Sequence, residues 1–215
     1  MKFNYPNGKK FVGNSTKETT NANPEKKVQK IQKNNKITTH SNRGQSFEDD
    51  INETNQYYLE RGLAVIHKKP TPIQIVKVDY PKRSAATIKE AYFKTPSTTD
   101  YNGLYKGRYI DFEAKETNSK TSFPLSNIHE HQILHLKSVK EHGGIGFFII
   151  RFSETNEVYV LESEHVFSFW DKKETERKSI PKQFIEEHGI SVLIGWHPRL
   201  SYLEAIDKLI DKLSS

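Results

Sequence analysis

RYIDFEAKE, residues 108–116, alternates without a break. Ile110, Phe112 and Ala114 fall on one side of an extended chain and Asp111, Glu113 and Lys115 on the other, the period-two pattern of a strand with one face in the core. Working outward, IGFFIIRF (145–152) is apolar at both parities and reads as a strand covered on both faces, with EVYVLE (157–162) as the strand after it. Between 108–116 and 145–152, Ser126 or Asn127 caps a helix running to about His142 and stopped by Gly143 and Gly144. Upstream, Ser46 is an N-cap for a helix with Phe47, Ile51, Thr54 and Tyr58 at helical spacing and Gly62 as its stop. Residues 63–69 and 73–80 read as strands ended by prolines, while 84–95 suits strand and helix equally. Downstream come short helices at 163–171 and 181–188, a strand at 191–196 and a last helix. That helix opens with Ser201 and Glu204 in capping-box spacing and carries Leu203, Ile206, Leu209, Ile210 and Leu213 as its apolar stripe. The order predicts an α/β protein, a mixed sheet flanked by helices. Segment 70–95, with prolines near both ends, fits that plan poorly and is expected to project from the sheet.

At 215 residues with 34% hydrophobic content, the chain can form one domain with an appendage. Residues 1–40 hold nine lysines and two glutamates with little apolar content, so they are expected to be a basic, disordered arm ahead of a domain at 41–215. Within that domain, 68–94 carries seven basic residues against Asp79 and Glu90. Two basic stretches on an otherwise acidic body form a footprint for a polyanion, although charge excess alone favours an ordinary solvated surface. The absence of cysteine excludes disulfide scaffolds, thiol catalysis and thiolate metal sites. No run approaches the roughly 20 apolar residues of a membrane helix, and MKFNYPNGKK has no signal core, so a soluble cytoplasmic protein without membrane contact is expected. No phosphate-binding glycine loop or nucleophile elbow is present.

Glu113 and Lys115, two apart on a strand, point into one space about 6.6 Å apart. Asp100 lies in TPSTTDYNG, and a hairpin returning through Gly103 and Gly107 would bring it beside Glu113. Two hard carboxylates suit Mg²⁺, and a lysine beside the ion can stabilise charge on a phosphate. By spacing alone, an exposed strand face with a surface ion pair is still the favoured reading. Asp111 shares the charged face and competes as a ligand, but Glu113 is preferred for its lysine at i+2. Gln132 and Thr98 have oxygens able to complete a shell, against ordinary roles as a solvated helix residue and a turn hydroxyl. His131 and His135 have a zinc-like i, i+4 spacing, but H-E-x-x-H fails at Ile133, which sets zinc below polar helix histidines near a phosphate-binding cleft. Tyr80, Tyr92, Phe93, Tyr101 and Tyr105 interleave with basic residues; base stacking is weighed below a core or interface role.

The strings AVIHKKPTP (64–72), VDYPKRS (78–84), EAYFKTPSTTDYNG (90–103), YIDFEAKET (109–117), KTSFPL (120–125) and HEHQ (129–132) strongly resemble the RecU family of Holliday-junction resolvases from low-GC Gram-positive bacteria. The likeness runs from SNRG (41–44) to HPRL (197–200), with YPNG (5–8) as its trace in the arm. It implies a restriction-endonuclease-like core of the PD-(D/E)xK nuclease superfamily. In this sequence Pro96 is the proline nearest before Asp100, and the motif's proline supplies no ligand. The resemblance further implies metal ligation by Thr98, Asp100, Glu113 and Gln132, with one or two Mg²⁺ per site, and Lys115 as the stabiliser of the transition state. It makes 70–95 a stalk that enters the junction, with Lys68, Lys69, Lys77, Lys82 and Arg83, and more weakly Arg43, as DNA contacts. A homodimer making paired symmetric nicks, RecA recombinase as a further partner, and a place at the bacterial nucleoid in recombination and repair complete the expectation. The competing readings are a related nuclease acting on linear or damaged duplex, and a non-catalytic protein that binds junctions or bridges strands.

Overall fold

The computed structural model describes residues 46–82 and 85–214, so the expected arm at 1–40 lies outside the described residues. In chain order the elements are α1 (Phe47–Glu60), β1 (Val65–Lys68), β2 (Ile73–Asp79), β3 (Thr87–Phe93), β4 (Tyr101–Tyr105), β5 (Arg108–Thr117) and β6 (Ser122–Pro124). After these come α2 (Glu130–Glu141), β7 (Ile145–Phe152), β8 (Glu157–Glu162), α3 (Ser163–Trp170), β9 (Ser179–Pro181), α4 (Lys182–His188), β10 (Ile190–Val192) and α5 (Leu203–Ser214). Six strands form one mixed sheet in the order β1-β4-β5-β7-β8-β10. β5 and β7 run parallel and the other neighbours antiparallel. A parallel pair needs a crossover, and α2 supplies it.

Both sheet faces are covered. On one face Ile110, Phe112, Phe147 and Ile149 belong to a core with Ile51 and Tyr58 of α1 and Ile206 and Leu209 of α5. Phe112 stacks between Tyr101 at 4.9 Å and Phe147 at 4.8 Å. On the other face Phe148, Ile150 and Leu161 pack with Leu136 of α2, Val166 of α3 and Ile185 of α4. β7 therefore serves both cores: Phe147, Phe148, Ile149 and Ile150 are fully buried, each stabilising by roughly 1.5–3 kcal/mol. This is the strand whose composition shows no alternation.

The hairpin between β4 and β5 sets the register that matters for function. It turns through Lys106 (φ 48°) and Gly107 (φ 73°), a two-residue turn with both central φ positive that matches strand twist. Tyr101 then faces Phe112, which puts Asp100 next in line with Glu113. β1 lies so close against β4 that a Cβ on Gly103 would stand 2.1 Å from the Val65 carbonyl oxygen.

Among the described residues β2 and β3 pair only with each other, from Ile73 opposite Phe93 to Asp79 opposite Thr87, in a hairpin separate from the main sheet. None of their residues is buried. The segment that suited strand and helix equally is strand because β2 supplies its hydrogen-bonding partner. Other boundaries moved. α2 begins at Glu130 rather than near Ser126, because Leu125–Asn127 forms a 3₁₀ turn whose Leu125 N–H donates to the Lys178 carbonyl. β10 stops at Val192, where the chain folds back with Gly195 N–H on Arg199 O and Ser201 N–H on Leu193 O. α5 accordingly starts at Leu203.

Candidate functional site

The charged face of β5 is not a surface face. α2 crosses over it on the way to β7, and Asp111 and Glu113 have no solvent exposure. This overturns the expectation of an exposed ion pair. Glu113 Oε2 accepts the Asp100 backbone N–H at 3.1 Å, and Oε1 accepts Gln132 Nε2 at 2.6 Å with Lys115 Nζ at 2.8 Å. The Glu113 carboxyl is pushed up to about 7, chiefly by burial, with Lys115 opposing and the facing Asp100 carboxyl adding to the rise. Burial and the second acid outweigh the single Lys115 ammonium, and a hard cation would add the positive charge that favours both carboxylates ionised.

The fold therefore gathers Asp100, Glu113, Lys115 and Gln132. Asp100 itself is exposed to solvent while Glu113 forms the floor. Two of the expected oxygens already take part in hydrogen bonds that leave each a lone pair. Thr98 is half-buried and its hydroxyl donates to the Thr99 carbonyl at 3.2 Å. Gln132 Oε1 accepts the His129 N–H at 2.9 Å at the start of α2, so the amide turns its nitrogen to Glu113. Among the described residues no group of three or more His, Asp or Glu side chains forms a metal cage. What is present is a pair of carboxylates with amide and hydroxyl oxygens nearby, and that chemistry fits Mg²⁺ holding several waters.

Asp111, the competing ligand, is bound up elsewhere. Its carboxylate accepts Lys69 Nζ at 2.8 Å, Tyr109 OH at 2.7 Å and the Thr99 hydroxyl, with His135 Nε2 at 2.9 Å. Although burial acts to raise it, these hydrogen bonds hold its carboxyl below the usual range. His135 thus belongs to this network, while His129 and His131 stack on each other at 5.6 Å. Burial together with neighbouring positive groups lowers the affinity of His131 for its proton. Thr99 was not singled out by sequence, since one threonine in a Thr-Thr-Asp run carries no distinguishing signal.

The basic residues divide into three groups. Lys69 faces inward onto Asp111, and Lys68 is exposed and pairs with Glu48. Lys77, across from Glu90, and Lys82, near the hairpin tip, stand in solvent. Arg43 and Arg83 lie outside the described residues. A cavity of about 320 Å³ opens between Asp100, Thr98, Lys68 and Pro70, running from Asp100 to the segments that flank the β2–β3 hairpin.

The family model of recombination protein U, RecU, matches residues 42–208. A protein named Holliday junction resolvase RecU from Bacillus cytotoxicus is 55% identical over 208 residues, covering 96% of this chain and 98% of its own. Its namesake from Geobacillus kaustophilus is 54% identical over 210 residues, covering 97% and 98%. Among solved structures, the Holliday junction resolvase Hjc of Archaeoglobus fulgidus aligns over 66% of this chain and 94% of its own, with 8% identity and a TM-score of 0.38, too slight a likeness to bear on the fold.

Proposed function

The chain belongs to the RecU family, and from that premise we propose that it is a Mg²⁺-dependent endonuclease that resolves four-way DNA junctions during recombination and repair. The observation that carries the reading is the register of the β4–β5 hairpin, which sets Asp100 against a buried Glu113 with Lys115 alongside. Asp100 and Glu113 would hold the ion, and the Thr98 hydroxyl and Gln132 Oε1, each with a lone pair to spare, would join them. When bound, it supplies Lewis-acid polarisation of the scissile phosphate and a water of lowered pKa.

The remaining chemistry belongs to the chain. Beside a bound cation the ionised form of Glu113 would be favoured and its repulsion from Asp100 offset. Gln132 and the Asp100 N–H hold the Glu113 carboxylate in one orientation, so the site is organised before substrate arrives. Lys115, on the same strand face, offsets the charge that builds on the phosphoryl oxygens. The products are a 5′-phosphate and a 3′-hydroxyl.

The β2–β3 hairpin serves as the stalk that enters the junction. Lys77 and Lys82 on it, Lys68 at its base, and the arginines Arg43 and Arg83 act as phosphate contacts. Paired nicks on opposed strands call for two sites related by a two-fold axis, hence a homodimer. The apolar side chains that the hairpin leaves exposed, Ile75, Tyr92 and Phe93 among them, supply surface for such an assembly. RecA recombinase remains a proposed partner, and the bacterial cytoplasm, at the nucleoid, the proposed place of action. Among the described residues no helix is long and apolar enough to cross a membrane.

The test is cleavage of an end-labelled mobile four-way junction beside a matched linear duplex, with and without Mg²⁺, for the wild type and Glu113→Ala. Symmetric nicks in the junction alone, absent without Mg²⁺ and absent in the variant, support the proposal. Equal cutting of the duplex would favour a general nuclease, and tight binding without any cutting a structural junction binder.

A further inference from the structure

We propose that Asp111 is a positioning residue for the metal-binding loop, acting through Thr99 and Lys69 on Asp100. The inference rests on the reading of Asp100 and Glu113 as the metal-binding pair. Asp100 is exposed, so packing does little to aim its carboxylate. Its backbone is held instead: its N–H donates to Glu113 at 3.1 Å and its carbonyl accepts the Lys69 N–H at 2.7 Å.

Asp111 anchors both neighbours of that segment. Its Oδ1 accepts the hydroxyl of Thr99, the residue immediately before Asp100. Its Oδ2 accepts Lys69 Nζ at 2.8 Å, and the same ammonium donates to Thr99 Oγ1 at 3.0 Å. Tyr109 and His135 complete the shell of a carboxylate with no solvent exposure. Asp111, Lys69 and Thr99 thus close a ring of hydrogen bonds behind the loop, anchored on the strand that carries Glu113. Buried ion pairs are weak contributors to stability compared with apolar residues of similar volume, which leaves alignment as the stronger reason for this one. Carboxylates that act on a metal through its ligands commonly change affinity by about 10–100-fold when altered.

This reading moves Lys69 from the DNA surface to the site's interior support, and it separates Lys69 from its neighbour. Lys68→Ala should weaken junction binding and leave metal affinity alone. Thr99→Val and Asp111→Asn should do the reverse.

The experiment uses the full-length protein without DNA. Mn²⁺ and Mg²⁺ affinity is measured by titration calorimetry, and hydrogen–deuterium exchange is followed in peptides spanning 98–101. Both variants are expected to bind metal about 10–100-fold more weakly, to exchange faster at the Asp100 amide, and to keep wild-type junction affinity in Ca²⁺. Thr99→Val removes one hydroxyl and leaves Asp111 three partners, so it carries the test if Asp111→Asn does not fold. Metal affinity and exchange equal to wild type in folded Thr99→Val would overturn the proposal. Asp100→Ala run alongside separates the failures. If it weakens metal binding while Thr99→Val does not, the positioning role is wrong; if it too has no effect, the metal-site reading itself is wrong.

Discussion

Replacing Glu113 with glutamine should stabilise the metal-free protein above neutral pH and change little in mild acid. The folded protein raises the Glu113 carboxyl from 4.5 to about 7, with burial as the main cause. The folded state therefore keeps a proton that the unfolded chain releases between those two values. Stability from this group is complete below the lower value and is lost as pH climbs through the upper one. At 1.36 kcal/mol per unit, the ionised carboxylate costs about 3 kcal/mol in alkaline solution. Glutamine keeps the shape and does not titrate, so the gain from Glu113→Gln should grow from near zero at about pH 4.5 to about 3 kcal/mol at about pH 8. For a folded unit of this size that is a melting-temperature gain of roughly 6–12 °C. The assay is urea unfolding in EDTA at both pH values, with melting curves as a second probe. Mg²⁺ in hundredfold excess over its dissociation constant should then stabilise the wild type by about 2.7 kcal/mol and the variant much less. A Glu113→Gln effect of the same size at both pH values would refute the argument, because the burial and carboxylate repulsion behind it act only on the charged form.

Three other outcomes follow from the geometry. Gly103→Ala places a methyl group against the Val65 backbone and should destabilise the protein by about 1–3 kcal/mol in denaturant titration, since β1 must shift off β4. Lys77→Ala with Lys82→Ala should leave folding intact and lower the slope of log binding constant against log salt by about 0.9 for each phosphate no longer neutralised. Replacing Ile73–Phe93 with a short flexible link removes no buried residue among those described, so the melting temperature should hold while junction cleavage falls far more than duplex binding.

Much of the fold was readable because its strongest signals are local. The alternation of 108–116, the unbroken apolar run of 145–152 and the Ser46 cap with its helical spacing all correspond to elements. Boundaries were less readable where a distant strand or carbonyl competes for backbone groups. Leu125 is held by Lys178, and Ser201 by Leu193, so the start of α2 and the end of β10 each lie several residues from where local capping rules would put them. The short β6–β9 pairing, Ser122–Pro124 with Ser179–Pro181, joins segments far apart in sequence and has no local signature.

For the site, sequence by itself determined the chemistry on offer: two carboxylates and a lysine on a strand face and its preceding loop, hard oxygen donors, no thiols, and a basic segment to meet a polyanion. It could not determine whether that strand face was wet or dry. Only the crossover of α2 decided this, and with it everything that makes Glu113 unlike a surface acid, because the free energy of a charge depends on what surrounds it rather than on its neighbours in sequence. The same physics divided Asp111 from Glu113 and Lys69 from Lys68, pairs that look equivalent in the sequence. Asp111 is bound by Lys69, Thr99, Tyr109 and His135, whereas Glu113 meets one lysine and the Asp100 segment; Lys69 turns inward onto Asp111, whereas Lys68 faces solvent.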